Sequence, residues 1–260
     1  IDAGALHENN DEQGFAHLIE HLSFRGSTFV PDGEAKRIWQ RFGVTFGSDS
    51  NAQTTPTQTV YKLDLPNATP EKLDESVKII SGMIRNPRIS PSALNAERAI
   101  VLAELRENSG AQMVYSDALR QHAFQGQRLA NRSTIGTPET LQAADALRLS
   151  AFHDRWYRPE NAVVVMAGDI EPTQLANLVQ KYFNDWKGKG APAPEPVFGD
   201  PTPQGTPTRV LIEPTLPTIV SIAYLRPWRK VDDTIAYNEQ LLIDALALQI
   251  INRRLEVQAR

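Results

Sequence analysis

The stretch His17-Leu18-Ile19-Glu20-His21 places two imidazoles and a carboxylate within five residues. An α-helix has 3.6 residues per turn, so positions 17 and 21 lie on one face and position 20 lies beside them. Two histidine side chains on one face can bind the same metal ion, and the carboxylate of Glu20 remains free to exchange protons. The pattern therefore predicts a helix that carries part of a metal site.

The sequence around this motif predicts a helix-rich chain. Apolar residues at 15, 18, 19 and 22 recur with helical spacing, so the motif lies inside a helix predicted over 12–25, which Gly26 ends. Asp32 is the predicted N-cap of the next helix. The continuous Val-rich run 162–167 is typical of a buried central strand. The other predicted helices are 32–42, 70–85, 91–108, 112–125, 138–155, 172–185 and 234–257, and the other predicted strands are 44–46, 57–65, 209–212 and 219–225.

The composition excludes several classes of function. A net charge of -4 and a pI near 5.8 provide no basic surface for a nucleic acid or an anionic membrane. No apolar run approaches the roughly 20 residues of a membrane span, so we expect a soluble protein. The chain contains no cysteine, so a metal ion must be held by histidines and carboxylates.

The composition changes abruptly at Gly188. Prolines are frequent from there to Pro207 and few residues can pack a core, which is typical of a linker. The two predicted strands and one helix that follow are marginal as an independent domain. We therefore predict a domain with the metal site over 1–187, a Pro-rich linker over 188–207, and the incomplete beginning of a second, similar domain over 208–260.

A catalytic zinc site usually has three protein ligands and one open position, so a third ligand is needed. The helix predicted after Pro91 offers Glu97, Glu104 and Glu107. Glu97 and Glu104 are seven residues apart and therefore share a face. Glutamates on a helix usually face water. This helix also carries several large apolar residues, however, and a buried carboxylate needs a cation or hydrogen-bond donors.

Several motifs, in the same order along the chain, resemble those of the pitrilysin family of zinc peptidases, which includes insulin-degrading enzyme and the mitochondrial processing peptidase. The order His-x-x-Glu-His is the inverse of the common His-Glu-x-x-His and is the inverzincin signature. The resemblance extends from about Gly4 to Trp186, and more weakly into 252–255. Its motifs are His17-Leu-Ile-Glu20-His21, Phe24-x-Gly26-Ser27, Asn51-Ala52-Gln53-Thr54, Glu97-Arg98-x-x-Val101-Leu102-x-Glu104, Ser150-x-Phe152-x-x-x-Trp156-Tyr157-x-Pro159-Glu160-Asn161, and Val163-Val164-Val165 with Gly168-Asp169.

The resemblance implies one zinc ion with His17, His21 and Glu104 as ligands, and with Glu97 supporting the site from behind. Residue counting alone would select Glu97, because the gap to Glu104 is longer by about two helical turns than in the familiar members. The local motif selects Glu104, and the turn-rich insertion 47–50 can absorb extra residues. Zinc would lower the pKa of a bound water to about 7, with Glu20 as general base. The implied activity is that of a zinc-dependent endopeptidase acting on peptides or small unfolded proteins.

The resemblance also implies the fold, the partners and the location. The fold is α+β, with a mixed or antiparallel sheet and helices mainly on one face. A peptide substrate is expected to add as a β-strand along an edge that Asn51, Ala52 and Gln53 match; the alternative for Asn51, after Ser-Asp-Ser, is turn chemistry. Family enzymes close two halves around the substrate, so a second half, from the same chain or another subunit, is an expected partner. Similarity to the long bacterial members implies the periplasm, with the cytoplasm as the alternative.

Two other functions fit some of these residues. A non-catalytic partner subunit could keep the same fold to bind peptides, but such subunits usually lack part of the metal set that is complete here. A structural zinc domain agrees less well, because three ligands leave an open position. The remaining histidines, His7, His122 and His153, have no partner at ligand spacing and receive no role.

Overall fold

The structure, a computed structural model, describes residues 1–202, 208–222 and 230–258. The chain forms two compact units, Ile1–Thr218 and Ile219–Arg260. In the described part of the chain, no helix is both long enough and apolar enough to cross a membrane. The metal motif lies in the first unit.

The first unit consists of helices around a small hairpin. Its helices are α1 (Phe15–Ser23), α2 (Glu34–Arg41), α3 (Pro70–Arg85), α4 (Pro91–Glu107), α5 (Ala111–Ala123), α6 (Pro138–Ala143), α7 (Ala146–Trp156) and α8 (Pro172–Phe183), with strands β1 (Ser50–Thr54) and β2 (Thr59–Leu63). The second unit contains α9 (Ile235–Gln258). This helix-dominated α+β fold agrees with the predicted class.

Helix α1 is held by its apolar face. Phe15, Leu18, Ile19 and Leu22 are completely buried, as the periodicity predicts. They belong to one core with residues of α4, α6 and α7, including Leu94, Val101, Leu141, Leu149 and Phe152. The opposite side of α1, which carries both motif histidines, is left to face the end of α4.

Local capping sets the starts of helices α3 and α4. The hydroxyl of Thr69 accepts a hydrogen bond from the backbone N–H of Lys72, and that of Ser90 accepts one from Ala93. Pro70 and Pro91 occupy the first helical positions, where no N–H is needed. Both predicted helix starts are therefore confirmed.

The sheet is a two-stranded antiparallel hairpin. Ser50 pairs with Leu63 and Thr54 with Thr59, and α1 packs against both strands. Asn51, Ala52 and Gln53 lie within β1. Among the described residues β2 is the only strand that pairs with β1, so the other edge of β1 has no strand partner apart from an isolated bridge between Ser50 and Phe46.

Several predicted strands are wrong. The run 162–167 has no regular structure, and Val163 and Val165 are each 82% exposed. Residues 209–212 and 219–222 are likewise irregular and exposed, whereas 223–225 lie outside the described residues. At 44–46 only Phe46 forms an isolated bridge, to Ser50. A strand needs a partner for its backbone hydrogen bonds, and an apolar run does not specify one.

Two helix boundaries also differ from the prediction. The helix predicted over 138–155 is two helices, because Asp145 leaves the helical conformation and its carboxylate caps α7 at the N–H of Arg148. Asp32 is not the N-cap of α2. That position is Gly33, and α2 begins at Glu34.

The described part of the Pro-rich segment packs on the first unit. The guanidinium of Arg158 donates to the carbonyl oxygens of Lys189 and Gly190. The backbone N–H of Arg128 donates to the carbonyl of Phe198, and the N–H of Thr202 donates to that of Gln125. These hydrogen bonds therefore hold the segment between Lys189 and Thr202, and the division at 187 and 208 stays a prediction.

His7 is expected to make stability depend on pH. Burial lowers its pKa below the ordinary 6.5, and the nearby Glu195 opposes that shift. Below pH 6.5 the unfolded chain takes up a proton that the folded ring resists, so this contribution to stability exists above pH 6.5 and is lost as the pH falls through the lowered pKa. We expect His7→Phe to flatten the loss of stability between about pH 7 and about pH 5 in urea unfolding. An unchanged pH profile would contradict this role.

Candidate metal centre

Three side chains from two helices converge at the end of the core. The Oε2 atom of Glu104 lies 3.8 Å from Nε2 of His17 and 3.7 Å from Nε2 of His21. One ligand atom from each residue lies within 4.8 Å of the other two. In a tetrahedral zinc site with bonds of about 2.0 Å, ligand atoms are roughly 3.3 Å apart. Small side-chain adjustments would therefore complete the site.

The donor set has the chemistry that zinc requires. Two imidazole nitrogens and one carboxylate oxygen are typical catalytic zinc ligands, and they leave a fourth position open. The two imidazole rings are 4.7 Å apart and nearly perpendicular, at 82°. Both present Nε2 towards the same oxygen of Glu104, so the residues fit one ion.

Glu97 lies behind His21, on the side away from Glu104. Its Oε2 atom is 3.1 Å from Nδ1 of His21, and its side chain is only 8% exposed. A proton on Nδ1 would be shared with this carboxylate, which leaves Nε2 free to bind a metal. Arg25 approaches the other oxygen of Glu97 at 3.5 Å and also reaches Asp32.

The two histidines differ in their electrostatic environment. Burial, with a smaller contribution from His21, lowers the pKa of His17 to about 4, so this ring is neutral at neutral pH. Burial also lowers the pKa of His21, but the hydrogen bond and charge of Glu97, with Glu20 and Glu104, outweigh it and raise the pKa. A neutral imidazole is the metal-binding form.

Glu20 lies beside this cluster and is held by the end of β1. Its Oε2 atom accepts a hydrogen bond of 2.5 Å from the hydroxyl of Thr54. Burial raises the pKa of Glu20, while Thr54 and His21 oppose the rise and Glu104 adds to it. A carboxylate with a raised pKa is better suited to accept a proton near neutral pH.

The residues of the strand edge lie in β1 as a continuous segment. Asn51 and Gln53 are exposed, and Ala52 between them is half-buried. The side-chain oxygen of Asn51 accepts from the N–H of Ala52, 2.9 Å away, which is the local contact that a turn-forming asparagine also makes. Asn51 therefore lies within the strand, and its role in binding a peptide stays a prediction.

Three neighbours of the centre received no role from the sequence. Thr54 follows the predicted edge residues and binds Glu20. Arg25 binds Glu97. Glu8 is buried beneath the N-terminus of α1. Tertiary packing joins Thr54 and Arg25 to their partners, and Glu8 bonds Gly14 and Ala16 across a short loop. The position of Thr54 next to Asn51-Ala52-Gln53 was the local signal.

Comparison with known proteins adds two family models. The model described as Insulinase (Peptidase family M16) matches residues 1–137, and the model described as Peptidase M16 inactive domain matches residues 143–255. The first match contains every residue of the centre.

Individual proteins give the same picture. The chain is 28% identical over 98% of its length to a protein named Zinc protease PQQL-like from Arabidopsis thaliana. It is 31% identical over 70% of its length to a probable zinc protease, PqqL, of Haemophilus influenzae. Its fold matches the crystal structure of the periplasmic protease PqqL from Escherichia coli with a TM-score of 0.73, at 28% identity over 79% of the chain. The chain spans only 27%, 20% and 22% of these three proteins.

Proposed function

Because this chain belongs to the insulinase family of peptidases, Peptidase family M16, we propose that it forms the zinc-binding part of a metalloendopeptidase. One observation carries the proposal. The ligand atoms of His17, His21 and Glu104 lie within 4.8 Å of one another, and Glu20 lies on the same helix as the two histidines. The relatives named zinc proteases support the same activity.

In the proposed site, His17, His21 and Glu104 bind a single zinc ion and Glu97 orients His21. The contacts support this division of roles over the reverse one. Both Nε2 atoms approach Glu104, whereas Glu97 reaches Nδ1 of His21, on the opposite side of the ring. A ligating histidine usually donates its other ring N–H to a carboxylate of this kind.

The proposed reaction is hydrolysis of a peptide bond by water. Zinc bound to these ligands would lower the pKa of a water molecule to about 7. Glu20 takes the proton of the attacking water and later delivers it to the leaving amine, so one carboxyl group serves as base and then as acid. Thr54 keeps the carboxyl of Glu20 in place through its 2.5 Å hydrogen bond.

The substrate is proposed to be a peptide that adds to the free edge of β1. Asn51, Ala52 and Gln53 provide that edge, and Thr54 at its end contacts the proposed base. Backbone hydrogen bonds along an edge bind many sequences, which suits peptides and small unfolded proteins. This arrangement would bring the bound backbone close to the metal.

We further propose that a second half, in the same chain or in another subunit, closes over this site, and that the protein is periplasmic. Support for the second half comes from the resemblance to enzymes built of two halves and from the small share of each relative that the chain spans. Support for the location comes from the solved relative from Escherichia coli, which is a periplasmic protease.

The purified chain is expected to bind one zinc ion at neutral pH. Elemental analysis after dialysis should give about one equivalent per chain, and a chelator should remove both the metal and any peptide hydrolysis by the complete protein. Re-addition of zinc should restore the activity. A correctly folded chain that holds far less than one equivalent would contradict the zinc site and favour a non-catalytic, peptide-binding partner subunit.

A further inference from the structure

The side chain of Glu8 closes the N-terminus of the metal helix. It is completely buried. Its Oε2 atom accepts a hydrogen bond from the N–H of Gly14 at 3.0 Å, and its Oε1 atom accepts one from the N–H of Ala16 at 2.9 Å. The first N–H groups of a helix have no acceptors within the helix. Here the carboxyl group of Glu8, which precedes the helix, accepts from two of them.

The N-cap residue of α1 cannot supply those acceptors itself. Gly14 has no side chain, and its φ of 92° lies in the left-handed region. A Cβ atom added there would lie 2.7 Å from the carbonyl oxygen of Ile135, so the serine or aspartate that normally caps a helix does not fit. The cap must come from outside, and Glu8 provides it.

The first turn of α1, which Glu8 caps, contains His17. Of the two histidine ligands, this is the one whose Nδ1 atom has no hydrogen bond within the described part of the chain to hold the ring. His17 follows Ala16 directly. Its Nδ1 atom is buried and has no hydrogen-bond partner among the described residues. His21, one turn later, has Glu97 at Nδ1. The backbone of the first turn therefore determines where the ring of His17 lies.

Glu8 is itself fixed in place. The guanidinium groups of Arg128 and Arg132 both donate to its backbone carbonyl oxygen. Burial raises the pKa of its carboxyl group to about 8, and the N–H groups of Ala16 and Gly14 oppose that rise by donating to it. Burying a carboxyl group costs free energy unless the group is hydrogen-bonded, and these two bonds offset that cost.

We propose that Glu8 is a positioning residue for the metal centre: it fixes the first turn of α1 and thereby the ring of His17. This inference rests on the proposed zinc site. The supporting observations are the two N–H bonds, the full burial of Glu8 and, among the described residues, the absence of a hydrogen-bond partner for Nδ1 of His17.

The test compares Glu8→Gln with Glu12→Gln. The glutamine at 8 keeps one acceptor oxygen and replaces the other with an amide group that cannot accept, so one N–H of α1 loses its partner. Glu12 lies in the same loop and is also buried, but its carboxylate binds the N–H of Asn9 and the guanidinium of Arg155. Its backbone carbonyl, which the substitution keeps, accepts from the N–H of Phe15. The measurements are the affinity for Co²⁺, followed by its visible absorption spectrum, and amide hydrogen exchange of residues 14–18 without metal.

We expect Glu8→Gln to weaken Co²⁺ binding about 10- to 100-fold, to change the absorption spectrum, and to speed exchange at Ala16 and His17. Glu12→Gln should stay within about threefold of the unmodified chain. Unchanged Co²⁺ affinity in folded Glu8→Gln, or an equal loss in Glu12→Gln, would overturn the proposal. If Glu8→Gln does not fold, Glu8→Asp replaces it, since aspartate keeps the carboxyl group on a shorter side chain that we expect to reach only one of the two N–H groups.

The exchange measurement separates this inference from the zinc site. If the unmodified chain binds no metal, the zinc site fails. Faster exchange over 14–18 in Glu8→Gln, but not in Glu12→Gln, would still support the role of Glu8 in fixing the turn. Unchanged exchange would overturn that role independently of any metal.

Discussion

Glu104→Gln is expected to lose zinc at concentrations that saturate the unmodified chain. The amide oxygen is a weaker ligand than a carboxylate, and only the two neutral imidazoles would remain as strong ligands of the ion. The loss of affinity should exceed the roughly 10- to 100-fold that follows removal of an outer partner of a metal ligand. The measurement is zinc affinity by competition with a chelating dye, with folding verified by circular dichroism.

Glu97→Gln is the matched control for this change. It lies two turns earlier on the same face of α4 and contacts Nδ1 of His21 rather than the space between the two Nε2 atoms. Its effect should be limited to the 10- to 100-fold range of an outer partner, about one to two decades. If zinc is instead retained in Glu104→Gln and lost in Glu97→Gln, then Glu97 is the zinc ligand, as the length of the gap after His21 suggests, and Glu104 is the supporting residue.

Glu20→Gln is expected to keep zinc and to lose peptide hydrolysis. The amide cannot accept the proton of the attacking water, and a positioned general base contributes about 10²- to 10⁴-fold to a rate. The side chain is isosteric and can still accept from Thr54, so the fold and the peptide edge should remain intact. The assay measures kcat for a quenched fluorescent peptide with the complete protein, alongside its zinc content.

The zinc content of Glu20→Gln shows whether turnover is lost because the general base is missing or because the zinc site is lost. Because Glu20 lies beside the ligands, a variant that lost both zinc and turnover would say nothing about proton transfer, and it would place Glu20 among the ligands instead. Turnover equal to that of the unmodified protein would remove Glu20 from the mechanism. We expect kcat to fall while KM changes little, because the base acts after the peptide has bound.

The metal helix could be predicted from sequence because its determinants are local. The spacing of Phe15, Leu18 and Leu22 defines the buried face, and the same spacing puts His17 and His21 together on the other side. The starts of α3 and α4 were equally accessible, since each is set by a cap residue followed by proline.

The third ligand was a different problem. Nothing in the spacing of Glu97 and Glu104 says which of them faces α1, because that depends on how two helices pack in the core. Resemblance to a family favoured Glu104, and the packing of α4 on α1 brings that residue near both histidines. Thr54 was beyond sequence reasoning for the same reason, since it acts on a helix 34 residues away. Glu8 is only six residues from Gly14, but it precedes the helix by more than the usual capping position, so no cap pattern indicates it.

The strand predicted over 162–167 shows the limit of composition. An uninterrupted apolar run rich in valine is compatible with a buried strand, but burial requires neighbours on both faces and both edges. The described residues provide none there, and Val163 and Val165 remain exposed.

That exposed run also has a practical consequence. Residues 162–167 are three valines, two alanines and one methionine, without charge or proline, which is the composition of segments that stack between molecules as steric zippers. An exposed segment of this kind is a template for pairing with another copy of the chain. Protein concentration is therefore a variable to be controlled in every metal titration of this chain. Self-association through the run would lower the amount of folded, unassociated chain without involving the zinc site.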